Sequence, residues 1–192
     1  MSIQELSPID ARTRITAWEC PVTGNAWEGL KDFYVLPENL TGLKVLDICA
    51  GESDLTAVLV TEGADAIALD YSYDNPAFLR QRRIQTYIQN LEREGASGNV
   101  ASLVADLESK ASSQRFKQSM IEYPQRYIQG SALALPFADN TFDKSLSFFG
   151  IVGVFEDDMR MFRIAMEEAI RVTKLGGQIQ VRRGELHQDF WQ

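Results

Sequence analysis

The sequence predicts an α/β fold built on a doubly wound, mostly parallel sheet. Short apolar runs rich in branched side chains alternate with segments whose apolar residues have helical spacing. Near the start of this pattern, a strand, a short helix and a second strand fit within about thirty residues, and such a unit requires parallel strands. Glycines and prolines fall between the periodic segments, as is typical of the turns in one layered domain.

Residues 1–42 differ from the rest of the chain and are interpreted as an N-terminal leader or helical lid. The segment has no long periodic run, and it mixes turn residues with large aromatic side chains, namely Trp18, Trp27, Phe33 and Tyr34. We expect short helices or loops there, so the α/β domain is placed at residues 43–192.

The first strand, helix and second strand occupy residues 43–70. Residues 43–48 form an apolar run with the length of a buried strand. Ser53 is a suitable N-cap for a helix that extends to Thr61. The apolar residues 66–69 then predict a second strand that ends at Asp70.

A long polar segment, residues 76–125, separates the second strand from the third. Its apolar spacing predicts one helix over residues 78–91 and another from Val100 to about Met120. This segment is longer than one crossover helix requires. We therefore expect a helical insertion near the mouth of the site, where it could cover a substrate.

The second half of the chain continues the alternation. Residues 127–128 and 142–149 predict the third and fourth strands, residues 156–173 predict a helix, and residues 178–181 predict the fifth strand. A basic last turn followed by two glycines, 176 and 177, is typical of a helix end.

Composition and charge exclude several classes of protein. A hydrophobic content of 45% and a charged content of 24% are ordinary for a globular domain and exclude disorder. The sequence has no secretory signal and no transmembrane run, which favours the cytoplasm and argues against a membrane partner. The net charge of −8 disfavours nucleic acid as a partner, and one histidine leaves too few soft ligands for a metal site.

Three residues near the ends of the first two strands carry the chemical signal. In an open parallel sheet, ligands bind beyond the carboxyl ends of the strands. Asp70 could accept two hydrogen bonds from a ribose diol, and Gly51 would let the backbone approach a ligand closely. Asp47 adds a negative charge, which suits a cationic ligand. The alternative is that Gly51 serves only the turn and that Asp70 is a solvated loop residue.

Four motifs in this order resemble those of the class I S-adenosylmethionine-dependent methyltransferases. Residues 45–53, VLDICAGES, are similar to the first motif, and Asp70 follows at the end of the second strand. Residues 129–143, QGSALALPFADNTFD, are similar to a second stretch almost throughout, and residues 169–177, AIRVTKLGG, are similar to the last helix and its turn. The departures from the family pattern are Cys49 and Ser53 in place of glycines, Ser131 in place of an acid and Leu175 in place of proline.

The resemblance implies a Rossmann-like core with S-adenosylmethionine as its cofactor. The implied binding residues lie in the turns and strand ends along one edge of the sheet. Asp47 and the backbone of Cys49, Ala50 and Gly51 would hold the methionine part, Asp70 the ribose, and Tyr71, Ser131 and Ala132 the adenine, while Ser147 and Phe148 would border the methyl group.

The resemblance also implies transfer of a methyl group to a small organic acceptor. A general base is needed only if the acceptor must first lose a proton, and the sequence offers no clear candidate, so catalytic residues stay unassigned. One alternative is a non-catalytic S-adenosylmethionine-binding or scaffold protein, since two glycines of the first motif are replaced. Another is a methyltransferase that acts on RNA or protein, which the acidic charge disfavours.

The fifth predicted strand raises the question of what covers its outer edge. The family ordinarily continues with a helix and an antiparallel pair of strands, whereas 11 residues follow Val181 here. We therefore expect a five-stranded sheet whose exposed edge favours a homodimer, with Met159 and Phe162 buried alongside. The competing expectation is that the leader folds over this edge and leaves a monomer.

Overall fold

A computed structural model describes residues 34–75, 99–155 and 157–182 of the chain, together with residues 77, 80, 81, 84, 85, 88 and 92. The strands are β1 (Lys44–Ile48), β2 (Asp65–Asp70), β3 (Tyr127–Gln129), β4 (Phe142–Phe148) and β5 (Thr173–Arg182). They form one parallel sheet in the order β3-β2-β1-β4-β5. The predicted fold class and the five strands are therefore confirmed.

Helices cover the sheet and connect its strands. Residues 77, 80, 81, 84, 85, 88 and 92 are helical, and the remainder of the helix predicted over 78–91 lies outside the described residues. So does most of the leader, including Trp18, Trp27 and Phe33. The other helices are α1 (Leu55–Thr61), α2 (Val100–Ser109), α3 (Ala111–Glu122), α4 (Gly150–Phe155) and α5 (Met159–Val172), with a 3-10 turn at Pro124–Arg126.

Two helix predictions were wrong in their boundaries. The helix expected from Val100 to Met120 is two helices, because the backbone of Lys110 turns to an extended conformation with φ of −59° and ψ of 136°. The helix expected from residue 156 begins at Met159 instead. The carboxylate of Asp158 caps it by accepting hydrogen bonds from the backbone N–H groups of residues 160 and 161.

The cap of α1 also differs by one residue from the prediction. Asp54 occupies the N-cap position, and its side chain makes no capping hydrogen bond there. The Ser53 hydroxyl still accepts a hydrogen bond from the Leu55 backbone N–H at 3.1 Å, as a capping side chain would. Ser53 therefore correctly indicated the start of a helix, but the N-cap is the next residue, Asp54.

The fifth strand is longer than predicted because it contains an irregular segment. Thr173 pairs with Phe142, but the next registered pair is Gln178 with Lys144. The chain between them bulges outward, leaving Leu175 97% exposed and Gly176 at a φ of 80° that suits glycine. Among the described residues, β5 pairs with β4 alone, so its outer edge is unpaired there.

Strand alternation divides the core between the two faces of the sheet. Leu46 and Ile48 of β1 pack with Phe142 and with α4 and α5 on one face. Val45 packs with α1 and with Tyr34 on the other face. A third cluster joins Ala50 to the aromatic rings of Tyr73, Phe116 and Tyr127.

Two features are absent from the described residues. None of the helices there is long and apolar enough to cross a membrane. The same part of the chain holds no group of three or more histidine, cysteine or acidic residues arranged for a metal ion.

Candidate functional site

The direction of the chain reverses in the middle of the sheet, and the predicted site residues meet there. From β1 the chain proceeds outward through β2 to β3, and it then returns to place β4 on the other side of β1. Asp47 of β1 lies between Ala68 of β2 and Leu146 of β4. The carboxyl ends of neighbouring strands on either side of such a reversal form the crevice in which open α/β sheets bind ligands.

The turn after β1 is tight and curls toward β2. Cys49 and Gly51 both have a φ of 57°, and the Ala50 backbone N–H donates to the Leu69 carbonyl at 3.1 Å. A left-handed conformation is easy for glycine and strained for cysteine. The turn therefore retains the backbone shape that a glycine at position 49 would favour, although the residue there has been replaced.

Asp70 holds this turn in place through its carboxylate. Oδ2 accepts a hydrogen bond from the Gly51 N–H at 3.0 Å, and Oδ1 accepts one from the Ser72 N–H at 2.9 Å. Burial raises the pKa of Asp70, and these two N–H groups oppose that shift. Since each carboxylate oxygen can accept more than one hydrogen bond, the side chain can still receive two hydroxyl groups of a ribose.

Asp47 is the most unusual acid of the site. Its side chain is buried, with 3% exposure, and Oδ2 has no hydrogen-bond partner among the described residues. Burial and the nearby charge of Asp70 raise the pKa of Asp47 to about 8. A buried acceptor without a donor is costly, so this oxygen fits a cationic donor supplied by a ligand.

An aromatic cluster packs against the turn after β1, and the sequence did not predict it. The Tyr73 hydroxyl donates to the Gly51 carbonyl at 2.8 Å, and burial raises the pKa of this phenol. The Tyr73 ring packs edge-on against Tyr127, with 5.7 Å between centroids, and also contacts Phe116 of α3. No periodic pattern connects these residues, since they come from a loop, a helix and a strand.

An ion pair fastens α3 beside the same turn. The Arg115 guanidinium contacts Oδ2 of the fully buried Asp54 at 2.7 Å through Nε and at 2.6 Å through Nη2. A two-point contact of this kind fixes direction as well as distance. The helix that carries Phe116 is therefore held against the start of α1.

The loop after β3 places Ser131 and Ala132 next to the end of β2. The Gly130 N–H donates to the Asp70 carbonyl at 3.1 Å, which joins the two strand ends. The Ser131 hydroxyl is partly exposed and accepts from the Leu133 N–H at 3.2 Å, whereas Ala132 is buried in the core. Tyr71, which follows Asp70 in the chain, is partly exposed.

Arg171 of α5 fixes the remainder of this loop. Its guanidinium donates to the carbonyls of Phe137 at 2.8 Å and Leu135 at 2.9 Å, and it pairs with Asp139 and Glu168. Glu168 also accepts from the Leu135 N–H at 2.7 Å, and its contacts with Arg171 lower its pKa. The segment around Arg171 therefore holds the loop of residues 129–143 in place.

Ser147 and Phe148, at the end of β4, both contact other residues of the protein. Ser147 is fully buried, and its hydroxyl donates to the Ile48 carbonyl and accepts from the Ile151 N–H, both at 2.9 Å. Phe148 packs edge-on against Tyr34, with 6.5 Å between ring centroids. Their predicted position beside a methyl group stays a prediction, as do the binding roles of the other residues.

Curated proteins resemble about seven tenths of this chain. A demethylmenaquinone methyltransferase of Paenarthrobacter aurescens is 30% identical over 138 residues, which are 72% of this chain and 37% of that protein. A ubiquinone/menaquinone biosynthesis C-methyltransferase UbiE of Idiomarina loihiensis is 31% identical over 141 residues, which are 72% of this chain and 41% of that protein. The chain thus spans about two fifths of the length of these curated relatives.

Solved structures and a family profile complete the comparison. The PH0226 protein of Pyrococcus horikoshii is similar at a TM-score of 0.47 and 18% identity, over 95% of this chain and 62% of that one. The ubiE/COQ5 methyltransferase family matches residues 27–184, which include both predicted acids, the aromatic cluster and all five strands. The chain therefore belongs to the ubiE/COQ5 methyltransferase family.

Proposed function

We propose that the chain binds S-adenosylmethionine and transfers its methyl group to a small organic acceptor. The observation that carries this proposal is the buried Oδ2 of Asp47, which lies near Asp70 at the reversal of the sheet and has no hydrogen-bond partner in the described part of the chain. Such an acid requires a donor, and the amino-acid end of this cofactor carries an ammonium group. Membership of the family supports the same cofactor.

The proposed binding roles are those that the family resemblance implies. Asp70 accepts from the ribose hydroxyls, and Asp47 with the backbone of residues 49–51 holds the methionine part. Tyr71, Ser131 and Ala132 border the adenine. The methyl group lies toward the end of β4, near residues 147 and 148.

The chain's own contribution to such a reaction is alignment. When bound, S-adenosylmethionine supplies a methyl group on a positively charged sulfur, which is already strongly electrophilic. Fixed alignment of two reactants contributes up to about 7 to 11 kcal/mol in favourable cases. The rigid turn held by Asp70, Tyr73 and α3 provides the fixed support for one of them.

We further propose a quinone-type acceptor that is methylated at carbon. The names of two relatives, a demethylmenaquinone methyltransferase and a ubiquinone/menaquinone biosynthesis C-methyltransferase, support this class of acceptor. The test is incubation of the chain with methyl-labelled S-adenosylmethionine and reduced demethylmenaquinone. Label in the quinone, with its loss when Asp70 is replaced by alanine, is the expected result.

A second function, binding of the cofactor without turnover, is favoured by one observation. Cys49 holds a strained left-handed conformation at a position where the family has glycine. Calorimetric binding of S-adenosylmethionine without label transfer to any acceptor in a metabolite extract would support this function. Absence of binding at millimolar concentration would contradict both functions.

Location and partners complete the proposal. The composition favours the cytoplasm, and the acidic charge favours a small-molecule partner over nucleic acid. The unpaired outer edge of β5 in the described part of the chain supports a homodimer.

A further inference from the structure

A short segment of the leader crosses the sheet next to the proposed site. We name Tyr34, Val35 and Leu36 the strap. The Val35 N–H donates to Oε1 of Gln180 at 2.9 Å, and the Val35 carbonyl accepts from Lys144 Nζ at 2.9 Å and from Gln180 Nε2 at 3.0 Å. Three hydrogen bonds at one residue fix the backbone of the strap across β4 and β5.

This anchoring directs the Tyr34 side chain toward the carboxyl ends of the strands. The ring packs edge-on against Phe148, the last residue of β4, and lies in the same core cluster as Val45 and Leu146. Asp47 lies two residues beyond Val45 and pairs with Leu146 in the sheet, so its side chain is on the same face. The phenol and the Asp47 carboxyl therefore lie on one face of the sheet at one end.

Both groups are buried, and each has an oxygen atom that lacks a hydrogen-bond partner among the described residues. Tyr34 is 4% exposed, and its hydroxyl has no hydrogen-bond partner among the described residues; the same holds for Oδ2 of Asp47. Burial and the charge of Asp47 raise the pKa of Tyr34, while Arg182 lowers it, so the phenol stays neutral and keeps its proton. The Tyr34 hydroxyl is thus a neutral donor and the Asp47 carboxyl an acceptor, and both residues are buried.

We propose that Tyr34 is a further binding residue of the site, and that its hydroxyl donates to the carboxylate of the methionine part while Asp47 accepts from the ammonium group. The amino-acid end of the cofactor carries a carboxylate, which accepts hydrogen bonds, and an ammonium group, which donates them. These two groups complement the Tyr34 hydroxyl and Oδ2 of Asp47, which lack partners among the described residues. A hydroxyl donating to a carboxylate makes a strong, charge-assisted hydrogen bond. This inference rests on the proposed cofactor, but it concerns a residue of the leader rather than the motifs.

Three ligands distinguish the contact of Tyr34 with the carboxylate from the contact of Asp47 with the ammonium group. S-adenosylmethionine carries both charged groups, its decarboxylated form keeps the ammonium alone, and methylthioadenosine has neither. Calorimetry with the wild-type chain should show the tightest binding for S-adenosylmethionine. The Tyr34→Phe variant should lose about tenfold in affinity for S-adenosylmethionine and less than twofold for the decarboxylated form.

Two further variants serve as matched controls. Asp47→Asn should weaken binding of both ammonium-bearing ligands and leave that of methylthioadenosine within about twofold. Tyr123→Phe removes the hydroxyl of a tyrosine that is 40% exposed, and it should change no affinity. The thermal midpoint of ligand-free Tyr34→Phe should be at least that of the wild type, because the lost hydroxyl has no hydrogen-bond partner within the described ranges.

The outcomes are distinguishable from a failure of the proposed function. If the wild type binds none of the three ligands, the cofactor itself is wrong. If it binds S-adenosylmethionine no more tightly than the decarboxylated form, the carboxylate has no partner in the site and the assignment of Tyr34 is overturned. Equal losses for both ligands in Tyr34→Phe would also overturn it.

Discussion

A carboxyl with a raised pKa makes ligand binding depend on pH at the scale of one residue. In the free chain, the pKa of Asp47 is about 8, so this carboxyl is protonated at pH 6. An ammonium group beside it favours the ionised form and lowers the pKa in the complex. Binding therefore releases a proton below pH 8, and the affinity for S-adenosylhomocysteine should rise by up to about tenfold per pH unit from pH 6 to 8.

Calorimetry at three pH values, each in two buffers of different ionisation enthalpy, measures both the affinity and the released proton. Methylthioadenosine is the control, since it lacks the ammonium group and its affinity should change little. An affinity for S-adenosylhomocysteine that stays constant over this range would contradict the role of Asp47.

Asp70 holds the turn after β1 in place and is also the proposed ribose-binding residue, and the sequence indicated only the second of these. Asp70→Ala should weaken cofactor binding by about 1.5 to 3 kcal/mol for each charge-assisted hydrogen bond lost. It should also destabilise the ligand-free chain by about 0.5 to 2 kcal/mol, as loss of a helix cap does, since the N–H groups of Gly51 and Ser72 lose their acceptor. Urea unfolding and calorimetry on the same samples separate the two effects.

The variant Asp70→Asn sharpens this test. It keeps the size and one acceptor oxygen, so the ligand-free chain should retain more stability than Asp70→Ala while affinity is still reduced. Unchanged affinity in both variants would place the ribose elsewhere. Asp47 and Asp70 could be singled out in the sequence because each lies near a strand end. Tyr34 could not, because the strap that carries it is anchored through Val35 to Gln180, 145 positions away from Val35.

At the scale of elements, Arg171 connects α5 to the loop after β3. Arg171→Met should destabilise the chain by about 1 to 3 kcal/mol and weaken S-adenosylmethionine binding, because the carbonyls of Leu135 and Phe137 lose a charged donor. The matched control is Arg163→Met in the same helix, whose exposed pair with Glu167 is worth about 0.3 to 0.5 kcal/mol. Thermal unfolding compares the two variants, and equal losses would contradict the loop contact.

Strands and helices could be predicted where the pattern of apolar residues was continuous. Buried strands appear as apolar runs, so β1, β2 and β4 were placed within a residue or two. The division between α2 and α3 was missed because Lys110 interrupts the helix with neither glycine nor proline. The start of α5 was misplaced because an acidic cluster indicates a helix N-terminus without saying which member is the cap.

At the scale of the whole molecule, ligand binding should stabilise the chain against unfolding. S-adenosylhomocysteine at about 100 times its dissociation constant should add about 2.7 kcal/mol to the free energy of unfolding. For a chain of this size that corresponds to a rise of about 5 to 10 °C in thermal midpoint. Differential scanning fluorimetry over a ligand series measures the shift, and a constant midpoint at millimolar ligand would contradict binding.

The state of association is the second property of the whole molecule. We expect a dimer, because the outer edge of β5 is unpaired in the described part of the chain. Met159, the first residue of the neighbouring helix α5, is 70% exposed and would be buried on association. Sedimentation equilibrium at micromolar concentration tests this expectation. A single species of 21.6 kDa would contradict the dimer and favour cover by the leader.

The anchoring of Val35 by Gln180 and Lys144 has a consequence for the order of folding. The strap cannot dock until β4 and β5 have paired, since its hydrogen-bond partners come from those two strands. Contacts between residues so distant in sequence carry a large loop-closure cost and form late. During synthesis, the part of the crevice bordered by Tyr34 is therefore completed after the sheet. A nascent chain that has formed only β1 and β2 has Asp70 for the ribose but lacks the proposed contact of Tyr34 with the methionine carboxylate.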